Sequence, residues 1–210
     1  MRAQWIASIL LALLVGCDSD RTLRPAAPEP QRAANEALDL LKGVVDEETY
    51  RDAGFDSLEQ ASRAELGTPI EVYVVGLDQL KGWSERDDAN ALILKNKSVE
   101  AVYPVMIGNQ VKSTVSIFKT EGGYRPATFG DAEIANALAR YRRSDAAFIV
   151  RVPVAGTYFI GQKSDNEVYL TPVYEMARLP NSPPGRATRS ADLLPQLAAL
   201  AKAQDADMPR

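Results

Sequence analysis

Two apolar segments joined by a two-residue turn constrain the fold of this chain more than any other feature. Residues 99–107 and 110–118 both carry the β-branched and aromatic side chains typical of strands, with Gly108-Asn109 between them. A two-residue connection of Gly and Asn favours an antiparallel hairpin, because both residue types adopt positive φ easily. The chain is therefore predicted to build its core around antiparallel strands.

Further strands are predicted on both sides of this hairpin. They cover residues 70–77, 124–129, 147–154, 157–161 and 168–174. Residues 147–154 alternate, with Phe148, Val150, Val152 and Val154 on one face, and such alternation is typical of a strand.

Four helices are predicted from apolar residues at helical spacing and from capping signals. They cover residues 31–47, 57–66, 132–143 and 193–203. Asp56 and Glu59 resemble a capping box for the second helix. Asp131 and Asp192 are the predicted N-caps of the last two helices. A cap at Asp192 places Pro195 in the first turn, where no helical N–H is lost.

These elements predict an α+β fold, with a mainly antiparallel sheet of hairpins flanked by helices. Residues 100–143 and 147–203 share the order strand, strand, strand, helix, so a structural duplication is one open possibility. The helical segment 31–66 and the α+β domain 67–205 are expected to form one domain. Residues 206–210 are expected to be a disordered tail.

The N-terminal residues are typical of a secretory signal peptide. Arg2 precedes an apolar run over residues 6–15, about half of the ~20 residues that span a bilayer. Leu14-Val15-Gly16-Cys17 then resembles the lipobox of bacterial lipoproteins. The resemblance implies cleavage by signal peptidase II between Gly16 and Cys17. It also implies acylation of the Cys17 thiol and, usually, of the new amine.

Two alternatives to the lipobox interpretation are considered for Cys17. It could be a free Cys buried in a core helix, or it could belong to an uncleaved membrane anchor. The polar residues 18–21 after Cys17 disfavour the buried Cys, and the short apolar run disfavours the uncleaved anchor. Residues 1–16 are accordingly the predicted signal peptide. Residues 17–30 are the predicted acylated Cys with a Pro-rich tether of about 40 Å.

The lipobox resemblance also predicts a location. Two or three acyl chains attach a protein firmly to a bilayer, whereas one chain binds reversibly. The mature chain is expected to be anchored in the cell membrane by its lipid and to face the periplasm or the exterior. Asp18 resembles the signal that retains Gram-negative lipoproteins in the inner membrane, which applies if the host has two membranes.

Composition excludes several classes of chemistry. The chain has no His, which excludes Ser-His-Asp triads, His-liganded zinc and His general bases. Acylation of the only Cys would exclude thiolate chemistry, so a metal site would need oxygen ligands. With 28 acidic and 24 basic residues the chain is also a poor candidate for nucleic acid. It is expected to be non-enzymatic, with no cofactor and no metal.

An acidic loop is the main candidate for chemistry. Glu85, Asp87 and Asp88 follow Trp83 in the polar segment 82–90. They would suit a divalent cation or a catalytic carboxylate pair. A solvated acidic loop is the simpler interpretation and is favoured, because the spacing of a calcium loop is absent.

Two groups of side chains are candidates for binding. Four tyrosines on predicted strands would form a binding face, although tyrosine is also an ordinary strand residue; they are Tyr73, Tyr103, Tyr158 and Tyr169. Three arginines at the end of helix 132–143 would contact an anion or anionic lipid, or would only cap the negative helix end; they are Arg140, Arg142 and Arg143.

The sequence thus favours a non-catalytic binding or interaction module in the cell envelope, attached to the membrane through Cys17 and bound to an unknown envelope protein. A lipoprotein that binds a small ligand or a lipid is the alternative. A carboxylate-dependent hydrolase using the acidic loop is a third, less favoured hypothesis.

Overall fold

The structure is a computed structural model that describes residues 29–144, 146–175, 179 and 182–204. The predicted signal peptide, Gly16, Cys17, Asp18, most of the tether and the C-terminal tail lie outside these residues. The helices in the described part are α1 (Glu29–Val44), α2 (Leu58–Ser62), α3 (Leu77–Gly82), α4 (Ala89–Lys95), α5 (Ala132–Tyr141) and α6 (Ser190–Ala203). The strands there are β1 (Glu65–Leu66), β2 (Ile70–Val74), β3 (Lys97–Ile107), β4 (Gln110–Thr120), β5 (Gly123–Phe129), β6 (Phe148–Val152), β7 (Thr157–Ser164), β8 (Glu167–Pro172) and β9 (Thr188–Arg189).

All of these strands belong to one sheet. Its order is β5-β4-β3-β2-β6-β7-β8-β9, and β1 pairs with β3 beside this path. Neighbouring strands are antiparallel, apart from the parallel pair β2 and β6. The prediction of an α+β fold with a mainly antiparallel sheet flanked by helices is confirmed. Within the described residues, no helix combines the length and the apolarity needed to cross a bilayer.

Turn chemistry fixes the register of the two central hairpins. Ile107 pairs with Gln110, which leaves Gly108-Asn109 as the predicted two-residue turn between β3 and β4. Gly108 has a φ of 57°. Ser164 pairs with Glu167 in the same way, and Asp165 and Asn166 form the turn with φ values of 51° and 65°. Positive φ at both central positions of the second turn, and at Gly108 alone in the first, gives turns whose twist matches that of the strands.

The helices cover the two faces of the sheet unequally. On one face α5 packs through Ile134 and Leu138 against Val72, Ile149 and Ile160. The opposite face carries the other helices in two groups. The first group, α1 and α2, covers β3 and β4. The second group, α3, α4 and α6, covers β2, β6, β7 and β8.

The start and end of the second helix differ from the prediction. Ser57 is the N-cap of α2 in place of Asp56, and its side chain accepts a hydrogen bond from the Gln60 N–H at 3.2 Å. The Asp56 carboxylate instead forms an ion pair with Lys112 Nζ at 2.8 Å. The same carboxylate accepts a hydrogen bond from Gln60 Nε2 at 3.1 Å, so Asp56 contacts the first turn of α2 through side chains and not as its N-cap. The helix has five residues, and the predicted continuation at residues 65–66 is strand β1.

The predicted strand 70–77 is shorter than expected, and the segment after it is largely helical. Strand β2 has five residues and is followed by the short helices α3 and α4. Leu80, Trp83 and Ile93 are buried in the core that these helices share with α6. Residues 92–94 belong to α4.

The last helix begins earlier than predicted. It starts at Ser190 with Arg189 as its N-cap, so Asp192 lies inside the first turn and forms an ion pair with Arg189 at 2.9 Å. The buried Ser190 hydroxyl donates a hydrogen bond to Asn90 Oδ1 at 2.7 Å, which ties the extra turn to α4. Pro195 therefore lies within the helix, where it removes one helical N–H.

Strand β6 lies at the centre of the sheet, and its residues 148–150 are buried on both faces. Phe148 and Val150 belong to the core beneath α6, whereas Ile149 belongs to the core beneath α5. Val154, predicted to continue the strand, lies in a 3₁₀ turn over Pro153–Ala155. The elements from β3 to α5 have the order strand, strand, strand, helix. The elements from β6 to α6 have the same order with the short β9 added.

Candidate functional site

The α5 side of the sheet is only partly covered. A helix of ten residues is roughly 15 Å long, whereas the sheet is roughly 35 Å wide. Phe118 and Glu100 pair across β4 and β3, and Arg151 lies between Val74 of β2 and Tyr158 of β7. These five residues lie on the α5 side of the sheet beyond the helix, and we call them the open face.

A groove lies between the open face and the N-terminal end of α5. Its volume is ≈ 460 Å³. Its polar lining consists of the carboxylates of Asp52, Glu100, Asp131 and Glu133 and the hydroxyls of Thr114, Ser116 and Thr128. Tyr158 and Tyr174 add two aromatic rings to the lining. The groove thus offers aromatic surface next to carboxylate and hydroxyl groups.

The aromatic wall is held by contacts between side chains. The Tyr158 and Tyr174 ring centroids lie 6.4 Å apart with the rings at 67°, an edge-to-face arrangement. The Arg151 guanidinium carbon lies 5.9 Å from the Tyr158 ring centroid. Arg151 Nη1 also lies 3.8 Å from Glu100 Oε2, so a single cation connects Tyr158 of β7 to Glu100 of β3. Arg151 therefore contacts both Tyr158 and Glu100 on the open face.

The floor of the groove and the start of α5 are fixed by hydrogen bonds. Asp131 Oδ1 accepts a hydrogen bond from the Ile134 N–H at 2.9 Å, which confirms the predicted N-cap. The Thr114 hydroxyl donates to the Asp131 carbonyl at 3.3 Å. The hydroxyls of Ser116 and Thr128 lie 2.7 Å apart. These bonds tie the helix start to β4 and β5 and give the groove a defined edge.

Burial and two nearby carboxylates favour the neutral form of the Tyr174 phenol. Burial raises its pKa above the ordinary value, and the negative charges of Asp131 and Glu133 raise it further. A hydrogen bond to the Glu133 carboxylate also raises the pKa, so the phenol proton of Tyr174 is held by that group.

The four predicted tyrosines do not lie on one face. Tyr73 is buried in the core beneath α6, and Tyr103 is buried in the core beneath α1. The Tyr73 hydroxyl donates to Glu71 at 2.7 Å, and burial together with that carboxylate raises the pKa of Tyr73 to about 12. Tyr158 and Tyr169 lie on the α5 side, because Tyr158 lines the groove and Tyr169 lines a second pocket near the end of α5. A surface built from all four tyrosines does not exist.

The three arginines lie at the C-terminal end of α5, as expected. Arg140 is in the last turn, and the Arg142 N–H donates to the Leu138 carbonyl at 3.1 Å as the helix ends. Arg142 Nε also donates to the Ser144 carbonyl at 3.3 Å. Arg140 and Arg143 line the second pocket together with Tyr169. The Arg142 backbone therefore closes the last helical turn, and its side chain contacts the segment after the helix.

Two carboxylates of the acidic loop accept hydrogen bonds that hold the local backbone. Asp87 accepts hydrogen bonds from the Ser84 N–H and hydroxyl, which also lowers the pKa of Asp87. Asp88 is the N-cap of α4 and accepts from the N–H groups of Asn90 and Ala91. No group of three or more acidic side chains in the described ranges is placed to hold a metal ion.

The sequence interpretation missed Tyr174 and Glu100 as members of the site, and it considered Arg151 only as a further candidate for anion contact. Tyr174 was predicted to end a strand but was not proposed for binding. Arg151 is the one charged residue of FIVRV, and Glu100 is its partner two strands away. A lone charge in an apolar strand was the available signal for Arg151. The pairing with Glu100 depends on strand order and has no local signal.

Comparison with protein-family models, with curated proteins and with solved structures finds no match. The fold and the site define an α+β domain with a partly covered sheet and a groove beside α5, the one helix on that side among the described residues.

Proposed function

We propose that the chain is a membrane-anchored extracytoplasmic lipoprotein, and that its domain is a non-catalytic binding module that holds another envelope protein on the open face. The lipobox-like residues 14–17 support the anchor. The half-covered sheet supports the binding surface.

The observation that carries the proposal is the open face itself. Phe118 is 37% exposed, and the Arg151 side chain is 47% exposed, although β4 and β6 both have a neighbouring strand on each side. Tyrosine and arginine are the residue types enriched where proteins bind each other, because they combine apolar area with hydrogen-bonding groups. The opposite face carries five described helices, α1, α2, α3, α4 and α6.

The first test is crosslinking in intact cells that express the full chain, followed by mass spectrometry of the captured proteins. We expect one dominant envelope protein. Tyr158→Ala should reduce its capture at least about tenfold, because an interface anchor contributes about 2 kcal/mol or more. Tyr50→Ala is the matched control, since Tyr50 is also half-buried but packs with α1 on the other side of the sheet.

The anchor is tested in the same cells. Cys17→Ala should abolish incorporation of a fatty-acid analogue. If Tyr158→Ala leaves the captured proteins as in the wild type while its melting curve is unchanged, the open face is not the binding surface. If Cys17→Ala still carries the fatty acid, the lipoprotein assignment fails independently.

Binding of a small ligand or lipid is a second candidate, and the groove beside α5 favours it. Its volume of ≈ 460 Å³ lies within the roughly 300–1,000 Å³ common for small-molecule sites. Native mass spectrometry of the full chain released from detergent distinguishes the two functions. A retained small molecule that is lost in Tyr158→Ala would favour this candidate over a protein partner.

A further inference from the structure

A second pocket lies at the C-terminal end of α5, away from the groove at its start. It has a volume of ≈ 460 Å³ and is bounded by the end of the helix, the β7–β8 hairpin and the segment before β9. Arg140 and Arg143 line it, together with the side chains of Tyr141, Tyr169, Ser144 and Thr171. Each of these six side chains can donate a hydrogen bond, and none is a carboxylate.

This composition is unusual for an acidic chain. The sequence has 28 acidic and 24 basic residues, yet no described residue that lines this pocket is acidic. Within the described ranges, neither Arg140 nor Arg143 forms an ion pair with a carboxylate. Lys163 also lines the pocket. A ligand in this pocket would therefore meet the two guanidinium groups of Arg140 and Arg143 and the ammonium group of Lys163.

The helix dipole of α5 accounts for the position of only one of the two arginines. Arg140 lies in the last turn of α5, where the helix dipole favours positive charge. Arg143 lies beyond the helix, because the chain already leaves helical geometry at Arg142 with φ −69° and ψ 110°. Helix capping thus gives no reason for Arg143 to line the same pocket as Arg140.

The pocket wall formed by the segment before β9 is tightly packed against Tyr141. Gly185 has a φ of 80°, and a Cβ there would lie 2.6 Å from the Tyr141 hydroxyl oxygen. Its N–H donates to the Pro172 carbonyl at 3.1 Å, which holds the segment against β8. On the strand side, Gln162 Nε2 donates to the Tyr141 carbonyl at 2.6 Å. The pocket is therefore bounded by ordered contacts on both sides of Tyr141.

We propose that this pocket binds a phosphate group, as a phosphate ester or as free phosphate, with Arg140 and Arg143 as its charged ligands. Guanidinium groups match phosphate oxygens in geometry, and hydrogen bonds between charged groups are stronger than neutral ones. The hydroxyls of Tyr169, Ser144 and Thr171 would donate to the remaining oxygens. The site goes beyond the proposed function, because it lies at the other end of α5 and does not use the open face.

Titration calorimetry on the full chain in a non-ionic detergent tests the site, with inorganic phosphate and glycerol 1-phosphate as probes at constant ionic strength. We expect saturable binding of one phosphate group per chain. Arg140→Gln and Arg143→Gln should each weaken binding at least about tenfold, the loss expected for one hydrogen bond between charged groups. Arg86→Gln is the matched control, since Arg86 is an exposed arginine outside the pocket.

The source of the phosphate is distinguished by adding phosphatidylglycerol or phosphatidylcholine to the micelles. Displacement of bound inorganic phosphate by phosphatidylglycerol alone would support a lipid headgroup, and displacement by neither would support a soluble phosphate. Arg143→Gln serves as the decisive variant if Arg140→Gln perturbs the helix, because Arg143 lies outside α5. The absence of saturable binding, or equal binding by wild type and Arg143→Gln, would overturn the proposal.

Discussion

Gly161 makes room for an aromatic ring at the centre of the sheet. It pairs with Phe148 across β7 and β6, and the Phe148 ring packs edge-to-face on Tyr73 with centroids 5.0 Å apart. A Cβ at position 161 would lie 2.2 Å from Phe148 Cε2, closer than any normal contact. The missing side chain therefore allows the Phe148 ring to fill the core beneath α6.

Gly161→Ala should lower the free energy of unfolding by about 1–3 kcal/mol, the usual effect of overpacking a core. Urea denaturation followed by circular dichroism measures it. Gly43→Ala is the matched control: a methyl group at this position of α1 would meet no atom within 4 Å, and alanine favours a helix by about 1 kcal/mol. If Gly161→Ala is as stable as the wild type, the Phe148 ring does not pack against Gly161.

At the scale of single elements, helix α5 depends on its N-cap residue for both stability and the groove. Asp131 caps the helix with its side chain, and its carbonyl accepts the hydrogen bond from Thr114. Loss of the carboxylate leaves the Ile134 N–H without its partner, and Asp131 itself lines the groove.

Asp131→Ala should therefore cost about 1 kcal/mol of unfolding free energy and speed hydrogen exchange at the Ile134 amide. Asp131→Ser should keep most of the stability, because serine also caps helices well. Asp78→Ala serves as the control, since Asp78 lies in the first turn of α3 without being its N-cap. Unchanged exchange at Ile134 in Asp131→Ala would contradict the capping role.

Elements with local signals could be predicted from the sequence. The β3–β4 and β7–β8 hairpins are specified by residues that adopt positive φ at the turn, and α5 by Asp131 and an apolar stripe. Helices α3 and α4 have six and seven residues and lie in a polar segment. Such short helices are marginal alone. Trp83 and Ile93 stabilise them by burial under α6, a contact that no local pattern reveals.

For the whole molecule, strand order decides what the binding surface can be. β2 joins the two halves of the sheet, antiparallel to β3 and parallel to β6, which it meets some 75 residues later in sequence. This long-range pairing sends Tyr73 to the face opposite Tyr158 and brings Arg151 to Glu100. Periodicity along the sequence could place Tyr158 and Tyr169 on strands. It could not show which residues of two distant strands lie on the same face of the sheet, because that depends on how the strands pair.

The same long-range pairing predicts that the described domain unfolds as one unit, although its elements follow a repeated order. Leu138 of α5 packs in one cluster with Val102 from the first set of strands and with Ile149 and Ile160 from the second. Neither set can lose its structure without exposing this shared apolar surface. With Trp5→Phe, Trp83 is the remaining tryptophan and reports on the core beneath α6.

Urea unfolding of that variant should give coincident curves for Trp83 fluorescence and far-ultraviolet circular dichroism. Leu138→Ala should shift both curves together, with a loss of about 2–5 kcal/mol, because it opens a cavity in the shared cluster. Leu40→Ala is the control, since Leu40 is a half-exposed leucine on α1 and its loss should move neither curve strongly. If Leu138→Ala separated the two curves, the halves would unfold independently, and β2 would join two domains instead of completing one.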